Sequence, residues 1–403
     1  MPKSIWLLII GMAINVTGAS LVWPLNTIYI HDFLGRSLSF AGLVLMLNQG
    51  SAIIGNLVGG TIYDKWGGFR SVITGLCISV TSAFLLVAYH STYSYMMLLM
   101  VIGFGSGLVK PAMYAMAGSI WPDGGRKPFN AMYVAQNLGV ALGASLGGFI
   151  ASQSFTLIFL VNGIFYLSFF LLALTTYRRL EGRSVDDGYM YSSVTDYEST
   201  IHHKRHFIAL LILCSGFVLC WIGYVQWQST LSSYTQELGI SLSHYSILWT
   251  INGFLIVSLQ PIVKFVVAKM RDEKRQIITG IVIFMISYAV VTQAEQFSGF
   301  AAAMVILTIG EVLVWPAVPT LAHRLAPKGR TGFYQGFVNS TGTAGRMLGP
   351  LLGGVIVDYF GMNPLFVVII LLYIVAIGST LLFHRFSQKN LAYNQDVGEF
   401  HQS

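Results

Sequence analysis

The sequence predicts an all-α membrane protein of twelve transmembrane helices, arranged as two pseudo-symmetric six-helix bundles. Three observations predict it. Only 10% of its 403 residues are charged and 55% are hydrophobic, whereas a soluble domain averages about 25% charged residues. So few charges cannot cover a water-soluble protein of this length, so the bilayer must face most of the surface. Apolar runs of spanning length recur along the chain, roughly at 5–30, 39–62, 71–91, 93–118, 129–152, 155–177, 207–234, 244–266, 275–294, 298–322, 332–357 and 363–385. The third observation is a repeat at half length.

The first copy reads Phe-Gly-Ser-Gly-Leu-Val-Lys-Pro-Ala from Phe104 to Ala112 on span four. A basic loop follows at 122–127, then a glycine-rich helix at 139–148 on span five. The second copy reads Gly-Glu-Val-Leu-Val-Trp-Pro-Ala at 310–317 on span ten. It too is followed by a basic loop, at 327–330, and a glycine-rich helix at 345–354 on span eleven. Pro111 matches Pro316, Arg126 matches Arg330 and Gly143 matches Gly349. A duplicated hydrophobic unit of half length is the mark of a transporter built from parallel repeats.

The charges orient the spans. Of the 23 Lys and Arg residues, all but Arg36, Lys110, Lys264 and Arg346 fall on the even-numbered connections or the two tails. By the positive-inside rule both termini are cytoplasmic, in the plasma membrane of the cell. The net charge of +7 is thus a topology signal, and no nucleic-acid partner is expected. The first span is too long for a signal-peptide core and should remain as a helix. Cys77, Cys214 and Cys220 all fall within spans, with neither a disulfide framework nor metal-ligand spacing. They read as packing residues, and no cofactor or metal is expected.

One long polar stretch, 178–206, divides the chain. Its acidic, Tyr- and Ser-rich middle has too few apolar residues to fold alone, so it reads as a cytoplasmic tether. The expected organisation is an N-terminal bundle at 1–177, this linker, a C-terminal bundle at 207–385 and a disordered tail at 386–403. One chain holds a full two-lobed unit, so a monomer should suffice.

Two glycine stripes have helical spacing: Gly139, Gly143 and Gly147 on span five, and Gly345, Gly349 and Gly353 on span eleven. Such stripes let helices approach closely in lipid. A second reading is a bendable helix at a gate, which Pro350 favours by freeing a backbone carbonyl.

The connection between spans two and three reads Gly-Gly-Thr-Ile-Tyr-Asp-Lys-Trp-Gly-Gly-Phe-Arg at 59–70. It resembles the signature loop of the major facilitator superfamily, with Gly60, Asp64, Lys65, Gly67 and Arg70 on the pattern. Span five is similar to the family's antiporter pattern, Gly-x-x-x-Gly-Pro-x-x-Gly-Gly, but Ala144 stands at the proline position and the proline appears in the second copy as Pro350. The arginine that drug exporters often carry early in span four is absent. Tyr-Val-Ala-Gln-Asn-Leu (133–138) and Gly-Glu-Val on span ten resemble the LmrP type of multidrug proton antiporter, though Met132 and Gln228 stand where that type has acidic residues. The resemblance implies the family's twelve-helix fold and proton-coupled transport by alternating access, energised by the proton gradient. It also implies that the 59–70 loop is a latch stabilising the outward-open state.

Glu311 is the one carboxylate placed deep in a span. Holding an ionised carboxylate there costs about 2.5–3.5 kcal/mol on insertion scales. Arg346 lies at similar depth on the next span and is its candidate partner. The pair is either a static ion pair or a switch in which protonating Glu311 releases Arg346. Asp64 is expected against the N-terminal end of span eleven, where backbone N–H groups favour negative charge, with Arg70 paired to Asp123. Polar and aromatic residues sketch a substrate pocket between the halves: Asn26, Gln49, Gln136, Asn137, Gln226, Trp227, Asn252, Trp315 and Asn339. Lys110 either snorkels to the interface or lines this pocket. Aromatic walls with few charges suit small amphipathic substrates. The leading reading is proton-coupled efflux of such compounds. Nutrient symport and lipid-headgroup flipping are the alternatives. No nucleophile–base pair or phosphate-cradling loop points to an enzyme.

Overall fold

Glycine, proline and serine punctuate this chain, and several of its helices begin or end beside them. The computed structural model describes residues 1–151, 154–184, 197–270 and 272–400. Among the described residues twelve long helices, joined by shorter helical pieces such as Thr230–Glu237, follow one another: α1 (Lys3–Val22), α2 (Leu38–Trp66), α3 (Gly68–Ala88), α4 (Thr92–Ile120), α5 (Lys127–Ala151), α6 (Phe155–Ser184), α7 (Tyr197–Tyr224), α8 in two arms (Leu242–Ser258 and Gln260–Met270), α9 (Glu273–Val291), α10 (Phe297–Leu325), α11 (Thr331–Phe360) and α12 (Met362–Phe400). Among the described residues nine helices, or ten counting α8 as one, are long and apolar enough to cross a bilayer. The glycine-rich α5 and α11 fall outside that set.

Serines start three of these helices. Ser37, Ser91 and Ser241 each accept a hydrogen bond from the backbone N–H three residues on, before α2, α4 and α8. A side-chain oxygen there satisfies one of the orphan donors of the first turn. Between α2 and α3 the chain turns on Gly67 alone, at φ +89°, a conformation that side chains rarely tolerate.

Several expectations are corrected. The eighth span is broken: its two arms meet at 59°. Pro261 lacks an N–H and disfavours helical geometry at the residue before it, Gln260. The ends of the expected tether are helical, since α6 runs to Ser184 and α7 starts at Tyr197; residues 185–196 lie outside the described ones. The expected disordered tail is likewise a continuation of α12 to Phe400, with no proline or glycine to stop it before Gly398.

The described chain forms two compact units, Met1–Met190 with Lys328–Ala344, and Tyr191–Pro327 with Gly345–Ser403. The boundary therefore cuts through α11, whose first half belongs with the N-terminal spans instead of the expected C-terminal bundle. In the first unit α1 packs on α5 and α6, α2 on α4, and α3 on α4 and α6. The second unit repeats the pattern, with α8 on α10, α9 on α10 and α12, and α7 on α12; α7 also meets the glycine stripe of α11.

The glycines mark the closest approaches. A Cβ at Gly75 would lie 2.6 Å from the Gly105 carbonyl oxygen, and one at Gly280 would lie 2.8 Å from that of Gly310. The stripes of α5 and α11 behave alike. A Cβ at Gly143 would meet Thr17 O at 2.3 Å, and one at Gly349 would meet a Val225 methyl at 2.2 Å. Both stripes are thus contact lines, and α11 stays helical through Pro350. Large apolar side chains point outward, among them Phe149, Phe254, Phe265 and Leu351, each more than 60% exposed, as lipid-facing surfaces require.

Candidate functional site

Two polar centres stand out, one in each unit. The first is built around Glu311 on α10, which is buried to 2% exposure. Its Oε1 accepts from the Tyr224 hydroxyl at 3.1 Å and its Oε2 from Asn252 Nδ2 at 2.7 Å. The same Asn252 amide also donates to Thr308 Oγ1 at 2.9 Å. Three helices, α7, α8 and α10, thereby converge on one carboxylate. An apolar interior makes such donors worth more than they would be in water.

Aromatic rings wall this centre. Phe217, Trp221 and Tyr224 are spaced i, i+4 and i+7 on α7, which places them on one face. Trp221 stacks on Trp315 at 4.3 Å and 12°. Tyr224 meets Trp315 edge-on at 5.3 Å and Trp221 at 5.5 Å. The Arg346 guanidinium lies 4.5 Å over the Trp221 ring, in cation–π range. The indole N–H groups of Trp221 and Trp315 are buried without hydrogen-bond partners. Glu311 and Arg346 are thus connected through Tyr224 and Trp221. Sequence reasoning missed Tyr224, Trp221, Phe217 and Thr308; the aromatic spacing on α7 was the available signal.

The second centre is Asp64, near the end of α2. Its Oδ1 accepts from the Gly332 N–H and its Oδ2 from the Phe333 N–H, both at 2.7 Å. These donors belong to the first turn of α11 and have no helical acceptors of their own. The approach that allows this is backbone on backbone. A Cβ at Gly60 would sit 2.2 Å from Gly332 O, and one at Gly336 would sit 2.3 Å from Asn56 O. Ser340 Oγ donates to Ile53 O at 3.1 Å. One feature differs from expectation: Arg70 and Asp123 are both exposed and form no ion pair. Burial forces no pairing on solvated charges.

The remaining sequence-predicted residues scatter. Gln226 and Trp227 are both fully buried. Gln226 donates to Ile222 O and Gly349 O and accepts from Thr230 Oγ1 and Ser229 Oγ. One of these bonds joins its span to α11 and the others stay within four residues of it along the chain. Trp227 belongs to the same interior. Asn26 is buried and accepts from the Tyr95 hydroxyl at 2.5 Å, within a cluster that includes Tyr29, Phe155 and Phe159. Asn137 and Asn339 bond back to the carbonyls of Tyr133 and Gln335 in their own helices. Gln49 and Gln136 are half-buried and make no hydrogen bond; Lys110 is half-buried beside Pro111.

A multi-span helical protein of two parallel repeats, with an ionisable centre inside one bundle, is of the secondary-transporter class. The sequence profile of the Major Facilitator Superfamily matches residues 8–232 and 212–395, and the chain belongs to that family. It is therefore a multi-pass membrane transporter and not an enzyme. It is 54% identical over 386 residues to the MFS-type transporter YttB of Bacillus subtilis (strain 168), covering 96% of each chain. It is 26% identical over 373 residues to the quinolone resistance protein NorA of Staphylococcus aureus (strain COL), covering 92% of this chain and 94% of NorA. Among solved structures it shares the fold of a POT family transporter in complex with 5-aminolevulinic acid, at TM-score 0.70 and 18% identity, over 96% and 97% of the two chains.

Proposed function

We propose that the chain is a proton-coupled exporter of small amphipathic compounds, of the drug:proton antiporter type that LmrP exemplifies, working by alternating access in the plasma membrane with both termini cytoplasmic and as a monomer. The observation that carries the reading is the Glu311 centre, a buried carboxylate inside an aromatic wall. The similarity to NorA supports efflux.

The chemistry of the centre suggests how a proton would act. Tyr224 donates to one carboxylate oxygen and Asn252 to the other, an arrangement suited to the ionised form. A proton placed on Oε1 would turn that oxygen into a donor. The Tyr224 hydroxyl can rotate to accept it, whereas the Asn252 NH2 cannot accept on Oε2. Tyr224 would then reorient against Trp221 and Trp315, and Trp221 carries Arg346. Protonation thus reaches Arg346 through two rings. The Asp64 cap on α11 is the second half of the proposal, a latch that forms in one state and breaks in the other.

The drive is sufficient. One charge crossing 100 mV is worth about 2.3 kcal/mol, which sustains a substrate gradient of roughly fifty-fold at tenfold per 1.4 kcal/mol. The test is reconstitution into liposomes with an imposed pH gradient and a panel of lipophilic cations and anions. Uphill movement that collapses with the gradient is the expected result. Movement indifferent to the gradient rejects proton coupling, and substrate moving with the protons selects symport.

A further inference from the structure

The face of α2 turned away from the Asp64 carboxylate carries a second feature. Leu57, Val58, Thr61, Ile62, Lys65 and Trp66 line a groove of about 310 Å³, within the range of ligand sites. Their spacing is one helical stripe. At about 1.5 Å per residue it runs roughly 12 Å along the helix, and it is graded in polarity. Leu57, Val58 and Ile62 are apolar, and the Thr61 hydroxyl is spent on Leu57 O at 2.9 Å.

The end near Gly67 is different. Lys65 is exposed and has no hydrogen bond or ion pair. Trp66 is 59% exposed, as an indole at a membrane boundary is. The adjacent Asp64 carboxylate is turned to the Gly332 and Phe333 amides and forms no ion pair with Lys65. Arg70, exposed and unpaired, follows at the start of α3. An apolar groove along one helix therefore ends in exposed, unpaired cations at the edge of the span. A soluble anion would leave the cleft empty, and a neutral lipid would leave the cation unmatched. A lipid whose phosphate is not balanced by a cation in its own headgroup satisfies both ends.

We propose that this groove binds an anionic phospholipid from the leaflet on the basic side of the membrane, with its acyl chain along Leu57, Val58 and Ile62 and its phosphate on Lys65. The proposal does not depend on what the protein transports.

The experiment uses the full chain purified in mild detergent with equal amounts of phosphatidylglycerol and phosphatidylcholine of identical acyl chains, read by native mass spectrometry. The wild type should retain phosphatidylglycerol preferentially. Lys65→Gln should weaken that preference about fivefold, the worth of one cation at an anionic surface. Ile62→Trp, which fills the cleft and keeps the charge, should lower retention of both lipids. Lys3→Gln, a cation that does not line the groove, should leave the preference between the two lipids unchanged, and inorganic phosphate should not compete. Equal retention of the two lipids by the wild type overturns the proposal. So does an unchanged preference in Lys65→Gln, or displacement by inorganic phosphate.

Discussion

Helices α4 and α10 hold equivalent places in the two units, yet they differ in what they carry. Each crosses its neighbour through glycine, Gly105 against Gly75 and Gly310 against Gly280. Each has a proline at the matching place, Pro111 and Pro316. One residue past the glycine the copies diverge: Ser106 stands where the second copy has Glu311, and Lys110 where it has Trp315. The backbone contact leaves no room for a Cβ, so that position is dictated by sterics. The next position points elsewhere and is free to take on chemistry. The first unit therefore keeps the scaffold, and the second holds the buried carboxylate.

The sharpest way to break this contrast is to remove the one group that the second unit adds. Glu311→Gln should fold, because the amide oxygen still accepts from Tyr224 or Asn252, but should abolish uphill transport in the liposome assay. Unchanged uphill transport would end the proton role of Glu311. The latch comes next. Asp64→Asn removes a charge-assisted bond and should weaken the α2–α11 contact by roughly 1.5–3 kcal/mol. Spin labels near the C-terminal end of α2 and the N-terminal end of α11 should report a longer mean distance, and an unshifted distribution would refute the latch.

Matched glycine substitutions test the repeat itself. Gly75→Ala and Gly280→Ala should each destabilise by about 1–3 kcal/mol through overpacking, lowering thermal stability in detergent by similar amounts. A large effect of only one would show that the two crossings are not equivalent. Arg346→Lys loses the planar face that lies on Trp221 and should cost about 0.5–2 kcal/mol. Tryptophan fluorescence would report it, and an unchanged spectrum would place the guanidinium elsewhere. The smallest effect is expected of Arg70→Gln, within about 0.5 kcal/mol in a melting experiment, since no ion pair is lost. A larger loss would restore the pairing with Asp123.

Much of the architecture was legible because lipid imposes strict patterns. Apolar runs, basic connections and glycine spacing each have one dominant physical cause, and the helices fall where those signals lie. Pro261 shows the margin: the sequence carried the breaker, but hydropathy alone ran the span through it. Asp64 was legible because a helix N-terminus attracts a carboxylate wherever one is within reach. The Glu311 centre was half legible. A lone acidic residue in an apolar run announces itself, whereas its partners Tyr224 and Asn252 lie 87 and 59 residues away in sequence. The bond from Gln226 to Gly349 was not legible, since an amide that joins two helices and one that meets a substrate look alike in one dimension.

By itself the sequence determined the class of protein, the approximate course of its long helices and the duplication, because burial in lipid and close helix contact leave few choices of residue. Only the tertiary structure decided which polar side chains are spent on packing and which are gathered at a site. It also gave the first half of α11 to the N-terminal unit, through Gly332 and Gly336 lying against α2. Such decisions depend on distances between residues far apart in the chain, and helix periodicity carries no information about those.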